Sequence, residues 1–226
     1  IAKSGVCTKR EAERLILAGR VKLDGEVVTS PVCFVDINAN ISIDDKKIPA
    51  RVEFTPHLWI YHKPVGEIVS HSDTHGRVSV FDTLHKKYNL EGRILSVGRL
   101  DLNSQGLLLI TNSGEIARRL ELPSNGFLRI YRVRVFGNLD PNQIRSLEKG
   151  ITIEGVNYGP IKVIVGKSEG ANTWCEFHLH EGKNREIRKV CAHFNLQVNK
   201  LIRQNFGPYK LENLPSQGLK EVEILC

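Results

Sequence analysis

The sequence predicts an α+β fold with an extensive mixed sheet, and two features of its patterning support this prediction. Short runs typical of strands, either apolar or alternating, recur along most of the chain, as at residues 58–63 and 129–135. Helix-start signals separate many of these runs, and the elements follow no repeated period. With 226 residues and 41% hydrophobic content, the chain is long enough for one large domain, or for a small domain and a medium one.

A helix and a hairpin are predicted to open the chain. Thr8 is followed three residues later by Glu11, which is the pattern of a capping box. Gly19 supplies a stop for this helix, and Asp24-Gly25 is typical of a tight turn between two strands. Further short strands are predicted at residues 35–37 and 41–43.

The rest of the chain is predicted to form a larger domain behind a linker. Residues 46–57 contain two prolines and little periodicity, which is typical of a domain boundary. We therefore place one domain at 1–50, a linker at 51–57 and a second domain at 58–226. In the second domain, strands are predicted at 58–63, 107–111, 129–135, 151–153, 161–165 and 174–180, and helices from about residues 80, 113, 140 and 187.

The charge of the chain favours a polyanionic partner. A net charge of +7 and a pI near 9.2 are typical of proteins that bind nucleic acid or an anionic membrane, although a basic protein without such a partner is the alternative. No run approaches the roughly 18 apolar residues of a membrane span. We therefore expect no membrane partner.

The cysteines and histidines predict neither a disulfide framework nor a metal site. The five cysteines form no C-x-x-C pair and are odd in number, so a cytoplasmic location is expected. His71 and His75 have a spacing compatible with metal ligands, but no cluster of Cys or acidic residues supports them. Because the chain starts at Ile1 and contains no methionine, we expect residues to be missing before it.

Residues 98–106 form the stretch most suggestive of chemistry. This polar loop is bounded by Gly98 and Gly106, carries Arg99 and a single carboxylate, Asp101, and leads into the apolar run 107–111. Functional side chains are often held on a loop that a rigid element fixes. A simple turn carboxylate is the alternative for Asp101.

Basic residues are concentrated in two segments. The first segment contains Lys3, Lys9, Arg10, Arg14, Arg20 and Lys22, opposed by Glu11 and Glu13. The second contains Lys183, Arg185, Arg188, Lys189, Lys200, Arg203 and Lys210, opposed only by Glu186. A solvated helix face with i,i+4 charge pairs is the alternative to a binding surface for the first segment.

The first segment resembles a known RNA-binding module. Residues 2–13 and 19–25 look like the alpha-L RNA-binding domain, which a small-subunit ribosomal protein shares with several RNA-modifying enzymes. The resemblance implies contacts with the RNA backbone. The residues expected to make them are Lys9, Arg10, Arg14, Arg20 and Lys22.

The larger domain resembles the pseudouridine synthases. The matching motifs are Lys63-Pro64-Val65-Gly66, residues 98–101 with 106–112, Tyr131, residues 182–188, and residues 198–203 with Gly207. Features at 135–137 and 170–174 look closest to the type that acts on large-subunit ribosomal RNA. The resemblance implies a largely antiparallel sheet with flanking helices, and a monomer whose partner is ribosomal RNA or a precursor of a ribosomal subunit.

The reaction that this resemblance implies is the isomerisation of uridine to pseudouridine. The base leaves the anomeric carbon, rotates while still held, and reattaches through carbon 5, so that neither redox chemistry nor a cofactor is expected. Asp101 would be the catalytic carboxylate. It would either attack the sugar or base covalently, or remove the 2′ proton of the sugar to give a glycal, and both routes stay open.

Three further residues take roles near Asp101 by resemblance. Arg188 is expected to pair with this carboxylate and favour its charged form. Tyr131 would stack on the target base or hydrogen-bond to it, and is a candidate general base at carbon 5. Ile187 would pack on the opposite face of the ring.

Other cations are expected to bind the substrate. The target uridine must be flipped out of the RNA, and Arg99 would fill the vacated stack or contact a phosphate. Lys183 and Arg185 would either make an electrostatic contact with RNA or support the active site directly, and the two roles are equally favoured.

Two alternatives to a large-subunit enzyme are a synthase that acts on small-subunit ribosomal RNA and a non-catalytic ribosome-assembly factor on the same scaffold. The basic surfaces alone would suit either one. Asp101 separates the enzymes from the binder, because a binding protein has no need of a carboxylate in that loop.

Overall fold

The structure is a computed structural model that describes residues 1, 4, 6–36, 39–48 and 55–225. The chain divides into two compact units, Ile1–Pro56 and His57–Cys226. The linker that we place at 51–57 remains a prediction, and Lys3, Ile37 and residues 51–54 lie outside the described residues.

The first unit begins with the predicted helix. Helix α1 spans Lys9–Leu17, and the hydroxyl of its N-cap, Thr8, accepts a hydrogen bond from the backbone N–H of Glu11 at 3.1 Å. Gly19 follows the helix with a φ of +68°, a conformation in which a side chain is disfavoured. The predicted start and stop of this helix are therefore confirmed.

A four-stranded antiparallel sheet completes the first unit. Its strands are β1 (Val21–Leu23), β2 (Glu26–Val27), β3 (Ile41–Ile43) and β4 (Lys46–Lys47), in the order β2-β1-β3-β4. The prediction of a strand at residues 35–37 is wrong for the two residues that the structure describes, because Val35 and Asp36 are exposed and outside any strand. Local β-propensity does not suffice there without a neighbouring strand to pair with.

A large mixed sheet forms the second unit. Its strands are β5 (Leu58–Lys63), β6 (Leu95–Val97), β7 (Gln105–Thr111), β8 (Arg129–Phe136), β11 (Lys162–Glu169), β12 (Asn172–Leu179), β13 (Gln197–Phe206), β14 (Tyr209–Lys210) and β15 (Leu219–Val222), while β9 (Ile151–Ile153) and β10 (Val156–Tyr158) form a separate hairpin. The main order is β11-β12-β8-β13-β7-β5-β15. The β13–β7 pair is parallel and the other pairs in this order are antiparallel. The predicted α+β fold with a mixed, largely antiparallel sheet is thus confirmed.

Four described helices flank this sheet. They are α2 (Val80–Tyr88), α3 (Gly114–Glu121), α4 (Pro141–Lys149) and α5 (Glu186–His193), and a short 3-10 turn spans Pro123–Asn125. Side chains cap three of them, from Ser79, Ser113 and Asp140. In the part of the chain that the structure describes, no helix is long and apolar enough to cross a membrane.

Strand β7 lies in the middle of the core and has both faces covered. Leu108 and Ile110 pack into one apolar cluster with α2 and α5, while Leu107 and Leu109 pack into a second cluster with α3. All four side chains have no exposed surface. Because alternate residues of a strand point to opposite faces, the continuous apolar run is explained by burial on both sides. The loop that carries Asp101 is thereby attached to a strand that is buried on both faces.

Candidate active site

Lys63 holds the backbone of the Asp101 loop. It ends β5 with no exposed surface, and its ammonium donates to the backbone carbonyls of Pro64 at 2.9 Å, Asp101 at 3.1 Å and Ser104 at 2.9 Å. Burial lowers the pKa of Lys63 to about 8, although the carboxylates of Glu67 and Asp101 favour its charged form. A lysine that gives all three donors to carbonyls fixes the loop at Asp101 and again at Ser104, three residues after it.

Gly106 closes the loop against β13. Its φ is +110°, and a Cβ at this position would lie 2.7 Å from the backbone nitrogen of Arg203. Gly106 faces Arg203 directly in the parallel pair of strands. Glycine is therefore required both by the backbone conformation and by the close approach of the two chains.

A cavity of about 770 Å³ opens above this loop. Six of the residues predicted for the site line it, namely Arg99, Asp101, Tyr131, Lys183, Arg185 and Ile187. The structure therefore brings together residues from segments that are far apart in the sequence. A cavity of this size lies in the usual range for a site that takes a small ligand.

Arg185 is the cation nearest to the Asp101 carboxylate. Its Nη1 donates to Oδ2 of Asp101 at 3.4 Å, and both side chains are partly exposed, by 49% and 34% respectively. Arg185 adopts a left-handed backbone conformation, with φ +52°, at the residue before α5. It therefore precedes the helix, and its side chain is free to reach the loop.

Arg188 does not form the ion pair that we expected. Its guanidinium donates instead to the backbone carbonyls of Val198 at 3.1 Å and Asn103 at 2.8 Å, and burial lowers its pKa. Arg188 lies inside the first turn of α5, where its side chain is directed to the backbone beside the cavity. It contacts the Asp101 loop through Asn103, not through the carboxylate.

Tyr131 and Ile187 form the apolar part of the cavity. Tyr131 lies on β8 with 8% of its surface exposed, and Ile187 begins the buried face of α5 with 4% exposed. The two side chains lie on different elements that meet at the cavity. That they cover opposite faces of the target base remains a prediction.

Two acidic residues that we did not assign from the sequence organise the turn before α5. Oε2 of Glu186 accepts from the backbone N–H of Lys183 at 2.9 Å, and Oε1 of Glu181 accepts from the backbone N–H of Gly159 at 2.7 Å. The ammonium of Lys183 also donates to Glu181. Lys183 is thus paired with an acid of its own chain.

The two carboxyl groups differ in their protonation. Burial, together with the nearby Glu181 carboxylate, raises the pKa of Glu186 to about 8. Burial also disfavours the charge of Glu181, but the hydrogen bonds from Lys183 and Gly159 outweigh it and lower the pKa of Glu181. At neutral pH the pair therefore holds one proton, on Glu186.

The basic residues of the first unit fall into two groups. Lys9, Arg10 and Arg14 lie exposed on α1. Arg20 and Lys22 instead pair with Asp44 and Asp45 at the β3–β4 turn, with Nζ of Lys22 lying 2.6 Å from Oδ1 of Asp45. These pairs are not the i,i+4 pairs on a helix face that are the alternative for this segment, because Arg20, Lys22 and their partners all lie outside α1.

The histidines considered as metal ligands take part in other contacts. The ring of His71 stacks on Phe81 with centroids 3.7 Å apart, and His75 lies near Asp73. Within the described residues, no group of three or more His, Cys, Asp or Glu side chains could hold a metal ion.

A carboxylate on a fixed loop, a buried tyrosine and a set of arginines around one cavity are typical of the active site of an enzyme that acts on an anionic substrate. The family described as RNA pseudouridylate synthase matches residues 57–193, and the S4 domain matches residues 1–38. The chain belongs to the RNA pseudouridylate synthase family. The resemblance drawn from the sequence motifs is therefore confirmed, and so is the assignment to an isomerase.

Related proteins align with nearly the whole length of this chain. An uncharacterized RNA pseudouridine synthase of Rickettsia felis is 45% identical over 98% of this chain and 94% of the relative. The ribosomal large subunit pseudouridine synthase B of Salmonella typhimurium is 38% identical over 99% of this chain and 78% of the relative. A crystal structure of a pseudouridylate synthase has the same fold, with a TM-score of 0.68 at 23% identity, over 99% of this chain and 94% of that one.

Proposed function

We propose that this enzyme isomerises a specific uridine of large-subunit ribosomal RNA to pseudouridine, with Asp101 as its catalytic carboxylate. The observation that carries the proposal is Asp101 itself, on a loop held by Lys63 and facing a cavity that also contains Tyr131. The choice of the large subunit is supported by the 37% to 38% identity to relatives named ribosomal large subunit pseudouridine synthase B. The substrate is either the free RNA or a precursor of the subunit.

The residues around the cavity suit the steps of this isomerisation. The uridine is flipped into the cavity because its reacting atoms are otherwise enclosed by the RNA. Asp101 then acts on the sugar or base as a nucleophile, or on the 2′ proton as a base, and the guanidinium of Arg185 lies beside this carboxylate. Tyr131 and Ile187 hold the detached base while it rotates, and Tyr131 is the candidate general base for the proton that carbon 5 loses.

The first unit is proposed to supply affinity for RNA. Lys9, Arg10 and Arg14 are exposed on α1, where cations of an RNA-binding module meet phosphates. We place this domain at residues 1–50, and propose that the enzyme acts in the cytoplasm as a monomer.

Tritium release tests the proposal. A ribosomal RNA transcript labelled with tritium at carbon 5 of uridine loses the label when the base reattaches through that carbon. We expect release with the wild-type protein and none with Asp101→Ala, whose RNA affinity stays within a few fold of wild type. Asp82→Asn serves as the matched control, because Asp82 is an exposed acid of the same unit.

Two results would contradict the proposal in different ways. If the wild-type protein binds the RNA but releases no tritium, it is a non-catalytic factor and the proposed reaction is wrong. If Asp101→Ala is active, the protein catalyses the reaction but Asp101 is not its catalytic carboxylate. Mapping of pseudouridines in ribosomal RNA from cells with and without the gene then identifies the uridine, and a site in the small subunit would overturn the choice of subunit.

A further inference from the structure

Two buried arginines in the cavity have no role in the reaction described so far. Arg129 is 9% exposed and Arg203 is 3% exposed, and both line the cavity that contains Asp101. Arg203 lies directly opposite Tyr131 in the β8–β13 pair, and Arg129 precedes Tyr131 by two residues on β8. Residues directly opposite one another, and residues two apart in a strand, share one face of a sheet. The two arginines therefore flank Tyr131 on the face that forms the cavity.

Hydrogen bonds from the protein satisfy only part of these guanidinium groups. Nε of Arg203 donates to the carbonyl of Leu107 at 2.7 Å, but Nη2 of Arg203 is buried without a hydrogen-bond partner. Nη1 of Arg129 donates to the carbonyl of His180 at 2.6 Å. The guanidinium carbons of Arg129 and Arg203 lie 4.7 and 5.3 Å from the ring centroid of Phe206, so that one aromatic ring supports both cations.

The charges of the two arginines are not compensated by an ion pair. Among the described residues, no carboxylate lies within ion-pair distance of either guanidinium. Burial lowers the pKa of Arg129, and the neighbouring charge of Arg203 acts in the same direction, whereas Tyr131 and Glu186 favour its charged form. Two adjacent buried cations with an unused donor are costly unless an anion completes them.

We propose that Arg129 and Arg203 form an anion subsite that receives a phosphate group of the flipped-out target nucleotide, beside Asp101 and Tyr131. The planar guanidinium fork matches the oxygens of a phosphate, and a phosphate neutralises charge as well as accepting hydrogen bonds. A carbonyl of the base would accept a bond from Nη2 but would leave both charges uncompensated. This inference rests on the proposed function, because it takes the occupant to be a nucleotide of the substrate RNA.

The subsite would fix the nucleotide by its backbone. A phosphate bound between Arg129 and Arg203 is joined covalently to the ribose that must meet Asp101. The bonds between the ribose and its phosphate stay intact in the reaction, so that this anchor keeps the sugar in place while the base, released from the anomeric carbon, is free to rotate above Tyr131. Positioning of this kind lowers the entropic barrier of the step.

Binding of mononucleotides to the full chain tests the subsite without requiring turnover. Calorimetric titration at low ionic strength would compare uridine with its 5′- and 3′-monophosphates. Because hydrogen bonds to charged groups contribute strongly, we expect one of the monophosphates to bind at least about tenfold more tightly than uridine. Arg203→Gln and Arg129→Gln should reduce this advantage to within about twofold and leave the affinity for uridine unchanged. Arg118→Gln, which changes an exposed arginine of α3, is the matched control and should keep the full advantage.

Several outcomes would overturn the subsite. One is that the wild-type protein binds uridine and both monophosphates with equal affinity. Another is that the two variants lose as much affinity for uridine as for the monophosphates, which would indicate a contact with the base. If Arg203→Gln does not fold, the same titrations with Arg203→Lys and with the wild-type protein test the subsite. Inorganic phosphate should raise the melting temperature of the wild-type protein more than chloride at matched ionic strength, and the absence of any difference refutes the proposal.

The proposed function and the subsite fail separately. A preference for a monophosphate without tritium release from any ribosomal RNA would retain the subsite and remove the isomerase. Tritium release without a preference for either monophosphate would retain the isomerase and remove the subsite.

Discussion

The cations of α1 and the buried cations around the Asp101 loop place the same kind of charge in opposite surroundings. Lys9, Arg10 and Arg14 are exposed to solvent, whereas Lys63 and Arg203 are 0% and 3% exposed. The exposed set is hydrated and screened by salt, so that each member contributes a modest, replaceable attraction to RNA. The buried set has lost its water and depends on particular carbonyl oxygens.

This difference predicts two kinds of failure. Loss of an exposed cation should weaken binding in proportion to the charge removed and leave the chemistry intact. Loss of a buried cation should leave carbonyl groups without partners and disturb the geometry around Asp101. The variants below test this division, from the largest expected effect to the smallest.

Lys63→Met should have the largest effect of these variants. It removes the three bonds to the carbonyls of Pro64, Asp101 and Ser104, and unsatisfied buried groups of this kind cost about 1–3 kcal/mol of unfolding free energy. A shift of about 1 Å in the loop would slow the reaction about a hundredfold. Urea denaturation measures the first effect, and single-turnover tritium release measures the second.

A lysine with a similar but exposed contact is the control for this variant. Lys87 donates to the carbonyl of Gln217 at 3.2 Å on the surface, and Lys87→Met should change neither quantity measurably. If Lys63→Met lowers stability while the rate constant stays at the wild-type value, the buried ammonium supports the fold but not the active loop.

Arg185→Gln and Arg188→Gln should separate the two arginines of the α5 segment. Arg185→Gln removes the cation beside Asp101 and should lower the single-turnover rate about tenfold or more, with the melting temperature unchanged because the pair is partly exposed. Arg188→Gln removes the bonds to Asn103 and Val198 and should lower the melting temperature as well. Rate and melting temperature are measured on the same preparations. A rate lowered by Arg188→Gln alone would restore Arg188 as the partner of Asp101.

The elements of this fold were predictable where the signal is local. Thr8, Ser113 and Asp140 each precede a helix as expected from their capping side chains, and the apolar run of β7 is buried as predicted. Asp101 could be chosen because it is a single carboxylate between two glycines. Each of these features depends on residues within about one turn or one strand.

The contacts of the cavity were not predictable because they depend on register between distant segments. Lys63 looked like the polar end of a strand, and nothing local indicates that it reaches the carbonyls of Asp101 and Ser104. Residues Arg185 and Arg188 have the spacing of one helix face, but α5 begins only after Arg185. Arg203 meets Tyr131 only through the pairing of β8 with β13.

The exposed set is tested by changing Lys9, Arg10 and Arg14 together to glutamine. Affinity for a ribosomal RNA fragment should fall about tenfold at physiological salt, and the slope of log K against log salt should decrease by about 0.7 to 0.9 for each lost phosphate contact. The rate with saturating RNA should not change. Fluorescence titration over a series of salt concentrations measures both the affinity and the slope.

The control for this variant has exposed lysines in the same unit but outside α1. Lys46 and Lys47 form β4, and their change to glutamine should alter the slope less than the change on α1. A slope that the α1 variant leaves untouched would remove this helix from the RNA interface.

Glu186→Gln should have the smallest effect, and its sign depends on pH. The pKa of Glu186 is raised from 4.5 to about 8 by burial and by Glu181, while the Lys183 cation, and the Arg129 cation from β8, act in the opposite direction. Between these two pH values the folded protein holds a proton that the unfolded chain releases, so that stability falls as pH rises. Glutamine keeps a neutral acceptor for the N–H of Lys183, and the variant should melt about 2–4 °C above wild type at pH 8.5. The difference should be small at pH 4.5, where Glu186 is protonated in the folded protein and half ionised in the unfolded chain. Glu115→Gln, in the exposed first turn of α3, should not raise the melting temperature at either pH. A stabilisation by Glu186→Gln of equal size at both pH values would show that the buried carboxyl is not the group that holds the proton.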